Sequence, residues 1–521
     1  MANVRVIAPL LKLDNIYQVS NSTLITLSGD LSQNEDGKQL KGIEVTSDVN
    51  ISITYITVGS ADWFEGMLVL PTKALGMHYY AASYRPISSF SSEVLVAAIE
   101  NDTDVVINIT LNLHGHGSTS FRLQKYETYQ FKSKFDVTES YISSNKPIAV
   151  ISGAALVNIP PNTGDTQSLI EHLTPIKYWT TQFIVPPTYP RTHFVLRIFA
   201  SKDGTLMRYH SKAGNHARHM RKGRLIALTG GSDPMTITAN KPIMVVQYGH
   251  DGDNIAGDPF MMNVQGVSQF VDSYKFEVPS FYDSGSNSIA ITTKKADVGG
   301  IELNGLPIGQ WEIKTLPVVS PFADYVTIFV NVTANNSYDL SHSGGAKFGA
   351  FLYGRPGIAA AYGYPLRLML HDAEKNCTLP STTTITTIPT TTPTTTTIVT
   401  TAVSTASTTT LSSSSTTKPD FHWCFKCENT SNLKACKNVQ KCNSTNEICF
   451  INRQSSPTGN LYSSGCIDAD VSHTCNTISL TGEYDFILTF SVKLHNLRKD
   501  YGFVSVIYPA IVYCTLTISL I

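Results

Sequence analysis

The first 376 residues contain no cysteine, so no disulfide cross-links them and their fold must rest on buried apolar surface. Charge is scarce as well. Asp, Glu, Lys and Arg are 15% of the 521 residues, against roughly 25% in an average soluble domain, and the net charge is −1 with a pI near 6.9. Without a basic excess there is no face to neutralise phosphates, which gives no support for a nucleic-acid partner. No G-x-S-x-G, no H-E-x-x-H and no P-loop lysine motif occurs, so no familiar nucleophile, zinc or phosphate site is written in the chain, and no cofactor is implied. Long runs of Ala, Leu, Glu and Lys are missing, while Tyr (24) and Phe (22) are plentiful, a composition that leans towards strands. The N-terminus MANVRVIAPLLKLDNIYQVS lacks a long apolar core and a small-residue cleavage site. No signal peptide is read there, and an N-terminally incomplete chain is expected.

What is present is organised by repetition. The phrase NKPIAVISG begins at Asn145, and NKPIMVVQYG begins 95 residues later at Asn240. Each is followed by an F-x-V-P segment (Phe183–Pro187 and Phe276–Ser280) and then by a strand–turn–strand pattern, at Thr192–His210 and Asn287–Gly305. Weaker echoes are NISITYITVG before the first copy and KFGAFLYG (Lys347–Gly354) after the last. The body from 42 to 370 therefore reads as about three units of ~95 residues. Each unit offers short apolar or alternating segments punctuated by NDTD, SKDG, TGGSD and NKP, which is turn chemistry. The fold class expected is all-β, with tandem β-sandwich-like repeats. The proline of each KP is placed at the first residue of its strand, where a missing N–H breaks no ladder bond. Short helical turns are expected at TQSLIEHLTPIKYW and VQGVSQFVDSY.

Residues 1–41 form an N-terminal segment. Residues 378–418 are almost pure Thr, Ser and Pro, which cannot bury enough apolar surface to offset backbone ordering. This reads as a disordered, mucin-like O-glycosylated linker, with an unmodified flexible linker as the alternative. Residues 419–476 hold seven of the nine cysteines: Cys424, Cys427, Cys436, Cys442, Cys449, Cys466 and Cys475. One C-x-x-C without a second pair at ligand spacing favours disulfides over zinc. Seven being odd, one must pair with Cys377, with Cys514 or outside the chain. Nine N-x-S/T sequons, at Asn21, Asn50, Asn101, Asn108, Asn331, Asn335, Asn376, Asn429 and Asn443, agree with an extracellular, oxidising setting. Residues 477–521 are a tail whose last 21 residues, 501–521, carry no charge. That length can cross a bilayer, can be a lipid-anchor signal, or can be a mis-spliced end, and membrane attachment through 501–521 stays open.

Candidate sites are few. In GHDGDNIAGDPF, Asp251, Asp253 and Asp258 surround glycines directly after the second anchor strand. They are the candidate ligand-binding residues and a candidate calcium site, although the EF-hand spacing fails. On a strand His114 and His116 in LHGHGS would share one face and could share a metal, but no carboxylate or third His is tied to them, and they read as surface histidines on a Gly-rich turn. The run HSKAGNHARHMRKGR gathers His210, His216, Arg218, His219, Arg221, Lys222 and Arg224, either a hold for sulfated or sialylated glycans or a solvated hairpin tip.

KGIEVTSDVNISITYI, LVLPTKALGMHYYAASY, the two NKPI strands and GDNIAGDPFMMNV…QFVDSYKFEVPS together resemble the N-terminal domain of the IgG Fc-binding protein family, over about 42–370. The cysteine module resembles small three-finger-type modules. The family resemblance implies an extracellular, secreted or cell-surface protein of mucus type; immunoglobulin binding is implied only by the family's name. Three functions are carried forward. The first is a non-enzymatic recognition or adhesion protein binding a glycan or glycoprotein. The second is a glycan-processing enzyme using the carboxylates near Asp251–Asp258. The third is a structural secreted matrix component.

Overall fold

The computed structural model describes residues 1–58, 64–87, 89–111, 114–161, 163–250, 257–279, 286–355 and 361–370. Beyond these it describes the backbone of strands at 423–430, 438–441, 447–456, 459–468, 484–488 and 513–520, with side chains again over 516–520. The chain forms two compact units, Met1–Glu374 with Ile478–Ile521, and Lys375–Thr477. Among the described residues the regular structure is strand, relieved only by short 3-10 turns.

The second NKP phrase shows how one repeat is built. It lies inside a single long strand, Met235–Gly249, that belongs to two sheets in turn. Its first half pairs with Thr180–Val185 and Thr205–Ser211, and the latter pairs with Gly214–Met220. Its second half pairs with Phe194–Ala200 and Met261–Asn263, and Phe194–Ala200 pairs with Leu225–Gly230. The apolar faces close on each other: Phe194, Leu196 and Ile198 share a core with Met207, Ile237 and Val245. Each repeat is thus an antiparallel sandwich whose layers share a strand.

The same wiring occurs with Tyr141–Val157 as the long strand. In the next copy a break at 343–348 divides it into Ser337–His342 and Gly349–Arg355. KFGAFLYG is therefore the second half of an anchor strand, as the repeat implied. The F-x-V segments fall in equivalent strands, Thr180–Val185 and Ser273–Glu277.

Both KP prolines sit mid-strand rather than at a strand start. In the first copy the strand pairs with Thr103–Thr110 over 141–144 and with Ser92–Ala98 over 148–154, so Pro147 falls in the gap where no partner asks for its N–H. Pro242 falls in the matching gap. The flanking residues lock the adjacent turn. Asn145 and Asn240 accept from the backbone N–H of Asp104 (2.9 Å) and Leu206 (2.7 Å). Lys146 and Lys241 donate to the carbonyls of Asn101 and Asp203, each at 2.6 Å. The phrase is a crossover device that every copy with an unbroken strand needs.

A fourth sandwich exists, built from both ends of the compact unit. Its sheets are Leu13–Val19, Ala2–Ala8, Ile43–Ser47, Tyr484–Leu488 and Ser22–Leu27, Tyr513–Leu520, Ile51–Val58, Phe64–Leu68. Two of these eight strands come from the tail. The expected separation of 1–41, 42–370 and 477–521 is therefore corrected: the N-terminal segment and the tail strands share one unit with the body. Where 501–521 is described it is the central strand of a sheet, with Leu516 and Ile518 fully buried.

The innermost strands of the four sandwiches, Phe64–Leu68, Gln167–His172, Met261–Asn263 and Tyr362–Pro365, contact one another in cyclic order, the last against the first. The array is a closed ring, which leaves no terminal repeat with an open face. Within TQSLIEHLTPIKYW, where short helical turns are expected, Gln167–His172 is a strand. The 3-10 turns Ile176–Tyr178 and Val267–Gln269 do fall within the two helical expectations.

In the second unit the strands are ordered Asn438–Lys441, Trp423–Thr430, Gly459–Asp468, Glu447–Ser456. Their register sets Cys449 opposite Cys466. The linker 378–418 lies outside the described residues.

Candidate functional site

Asp251 and Asp253 lie outside the described residues. The stem of their loop is described, and it is rigid. Gly249 N–H donates to the Phe260 carbonyl at 2.8 Å. Arg191, itself buried, donates to the carbonyls of Asp258 (3.0 Å) and His250 (3.4 Å) and lies over the Phe260 ring at 5.6 Å. One guanidinium therefore ties both ends of the loop together. Asp258 is 3% exposed and turned towards the ring interior, where its charge raises the pKa of Glu65.

The ring interior gathers the buried polar groups. Gln167 donates to the carbonyls of Pro259 (3.2 Å) and Ala361 (2.5 Å) and accepts from Ala361 N–H, bridging two other repeats. Asn263 donates to Glu171 (3.1 Å) and to the His172 carbonyl (3.0 Å). Leu70 N–H donates to His172 Nδ1, so that nitrogen carries no proton. Burial pushes Glu65 up to about 8, with the charges of Asp258 and Glu93 adding and a bond from Ser168 opposing. Burial raises Glu171 well above the carboxylate range and lowers His172 to about 3. These groups are perturbed because they are sealed in, and they serve to join repeats.

The histidines stand in a surface turn and a hairpin and do not form a shared metal face. His114 sits in the turn before the strand His116–Leu123 and stacks on Phe135 at 3.8 Å, so the two rings do not share a strand face. His216 stacks on Tyr209 at 4.9 Å in the hairpin Thr205–Ser211/Gly214–Met220. Arg224 leaves the run to pair with Glu139 of the preceding repeat at 2.6 Å. Among the described residues no cluster of His, Cys, Asp and Glu has the arrangement of a metal site.

A different place collects ligand chemistry. Between the sandwiches of Tyr141–Val157 and Met235–Gly249 runs an open groove of about 610 Å³, within the size range of small-ligand sites. The prolines of both NKP phrases, Pro147 and Pro242, line it. Met77, 42% exposed, and the stacked pair His78 and Tyr141 give it an apolar and aromatic wall. Lys177, Lys202, Lys222 and Asp203 supply its charge. The walls are fixed by backbone. Ser201 binds the Pro242 carbonyl through N–H (3.0 Å) and Oγ (2.7 Å), and Lys222 N–H donates to Asp203 at 2.9 Å. Gly223 has φ +70°, and a Cβ there would meet the Tyr80 ring at 2.4 Å, so only glycine sets Lys222 against the earlier repeat. Below, the largely buried Arg197 clamps the junction, donating to Asp136 (2.9 Å), Thr138 (2.6 Å) and the Ser83 carbonyl (2.6 Å). Sequence reasoning named Lys222 and both prolines, but for other reasons. The lining spans 76–242 in several short segments, and no local pattern joins them.

A family model described as IgGFc binding protein matches residues 65–354, more than half of the chain. The chain belongs to this family. The matched span runs from the inner strand of the terminal-built sandwich to the strand Gly349–Arg355, so it covers the loop stem, the groove and three of the four inner strands of the ring. A human protein named IgGFc-binding protein is 22% identical over 289 residues, which is 52% of this chain and 5% of that protein. The chain thus spans a small part of the length of the curated relative it matches.

Proposed function

We propose that this family member is an extracellular, non-enzymatic recognition or adhesion protein that binds a glycan or glycoprotein. The observation that carries the reading is the groove between two repeats. It is open, its walls are fixed by backbone hydrogen bonds, and it combines aromatic, apolar and cationic side chains. Rigid walls reduce the ordering cost of binding. The extracellular setting is supported by the sequons. Asn21, Asn101, Asn108, Asn331 and Asn335 are exposed and Asn50 is partly so, as glycan attachment requires. The carboxylates that an enzyme would use are represented in the described structure by Asp258, which is buried, and this favours recognition over glycan processing. A structural matrix role offers no reason for a preformed groove. Asp251 and Asp253 remain the proposed second contact, above the stem that Arg191 holds.

The test is a panel of glycans and mucus-type glycoproteins, with immunoglobulin Fc included, applied to the full chain by array and then by calorimetry. Saturable binding of one class without turnover is expected. Release of sugar from any glycan would favour the enzyme, and a blank panel would favour the matrix role.

A further inference from the structure

We infer that the groove between the sandwiches of Tyr141–Val157 and Met235–Gly249 is a site for an acidic sugar, one bearing a carboxylate or a sulfate; this rests on the recognition reading above and adds the ligand class. Charge decides the class. Three lysines and one aspartate line the groove, and the aspartate already accepts the Lys222 N–H at 2.9 Å. Lys202 and Lys222 are exposed and stand in no ion pair among the described residues. Lys177 lies over the Tyr178 ring at 4.6 Å, which orients its ammonium at the groove wall. An anion entering here meets cations whose backbone is already fixed, and the low dielectric of a walled groove strengthens that attraction over its value in open water.

The rest of the wall suits a sugar ring better than a bare phosphate. The stacked rings of His78 and Tyr141, centroids 6.0 Å apart, are joined by a Tyr141 Oη to His78 Nδ1 bond of 2.9 Å. Beside them Met77, Pro147, Pro175 and Pro242 offer C–H surface with no donor to satisfy. A pyranose has this split character, an apolar face with polar edges, and an acidic one places its charge at an edge. A small inorganic anion would leave the apolar wall and most of the 610 Å³ unused.

The experiment uses the full chain with sialyllactose, sulfolactose and lactose as probes, read by calorimetry and by saturation-transfer NMR at low and moderate salt. The acidic probes are expected to bind at least about tenfold more tightly than lactose, with the gap narrowing as salt is raised. Lys202→Glu combined with Lys222→Glu is expected to abolish that preference. Lys314→Glu, on the exposed strand Ile313–Pro317, is expected to leave it unchanged. Both variants replace exposed side chains, and an unchanged melting temperature confirms that the fold is intact. Equal binding of lactose and the acidic probes, or a preference that survives the double reversal, overturns the acidic-sugar assignment while leaving glycan recognition standing. No binding of any probe also overturns it, and the broader panel then decides whether the recognition reading falls with it. The two acidic probes separate carboxylate from sulfate as the source of the charge.

Discussion

Leu516→Ala probes whether the tail closes the ring. Leu516 and Ile518 are fully buried in a core with Ile25, Leu27, Ile53 and Tyr55. Leu516 pairs with Ile25 on one side and Tyr55 on the other. A strand held by ladders on both sides cannot shift to fill a gap without breaking one, so little of the cavity collapses. Large-to-small replacement at such sites costs about 2–5 kcal/mol, and the upper part of that range is expected here. Against a total stability of about 5–15 kcal/mol this is a large loss, visible as an earlier urea midpoint by tryptophan fluorescence. Leu516→Met conserves volume and should cost under about 1.5 kcal/mol. Truncation after Thr477 removes both tail strands and opens the edges of Ser22–Leu27 and Ile51–Val58, and the product should aggregate. If Leu516→Ala unfolds like the parent and the truncated chain is monomeric with unchanged stability, the tail is not part of the ring, and the bilayer or lipid-anchor reading of 501–521 returns.

Three further outcomes are expected. Glu65 keeps its proton in the folded state up to about 8, whereas the unfolded chain releases it near 4.5, so the unfolded state binds fewer protons across that window and stability falls as pH rises through it. Glu65→Gln should therefore flatten part of the decline in melting temperature between these pH values, and an unaltered slope would show that Glu65 is not sealed in. Mass mapping without reduction should recover at least three disulfides within Cys424–Cys475, one of them Cys449–Cys466, because the register sets that pair opposite each other; seven free thiols or stoichiometric zinc would refute this. Asp251→Ala with Asp253→Ala should weaken ligand or calcium binding in calorimetry and leave the unfolding midpoint in place, since the stem is held by Arg191; a lost fold would make these carboxylates structural.

The repeats were legible because one device recurs. A strand that changes sheets needs a residue without an N–H at the crossover, an Asn to bind the neighbouring strand's start and a Lys to bind the turn carbonyl, and NKP supplies all three. The proline's position was not legible, because prolines in sheets usually stand at a strand's first residue and no local pattern marks a strand shared by two sheets. The fourth repeat was hidden by distance. Two of its strands are separated from their partners by more than 400 residues, and no local pattern records such a pairing. The tail suggested a membrane for a related reason. In Tyr513–Leu520 the residues Leu516 and Ile518 are buried on one face and Thr517 and Ser519 on the other, and a strand covered on both faces reads as a continuous uncharged run. Within TQSLIEHLTPIKYW the helical turn is confined to Ile176–Tyr178, since Glu171 and His172, polar in sequence, are buried in a strand at the ring interior.

Those interior polar groups bear on a problem that any ring of similar sandwiches must solve, which is assembly in one order. The four cores are alike in chemistry, so apolar burial alone distinguishes poorly between a correct neighbour and a wrong one. The contacts between inner strands are not alike. Gln167 fits only where the Pro259 carbonyl and both backbone groups of Ala361 converge, and Asn263 needs Glu171 and the His172 carbonyl. Misplacing a repeat would leave these amides unpartnered in the interior, at roughly 1–3 kcal/mol for each buried group, with more for the carboxylates. Gly66 adds a steric term, since a Cβ there would lie 2.7 Å from the Tyr364 ring of the last repeat. The inner strands thus carry the information that orders the ring, while the NKP crossovers, alike in both copies that have them, do not distinguish one neighbour from another. The groove, walled by residues of two successive repeats, takes its shape from that order.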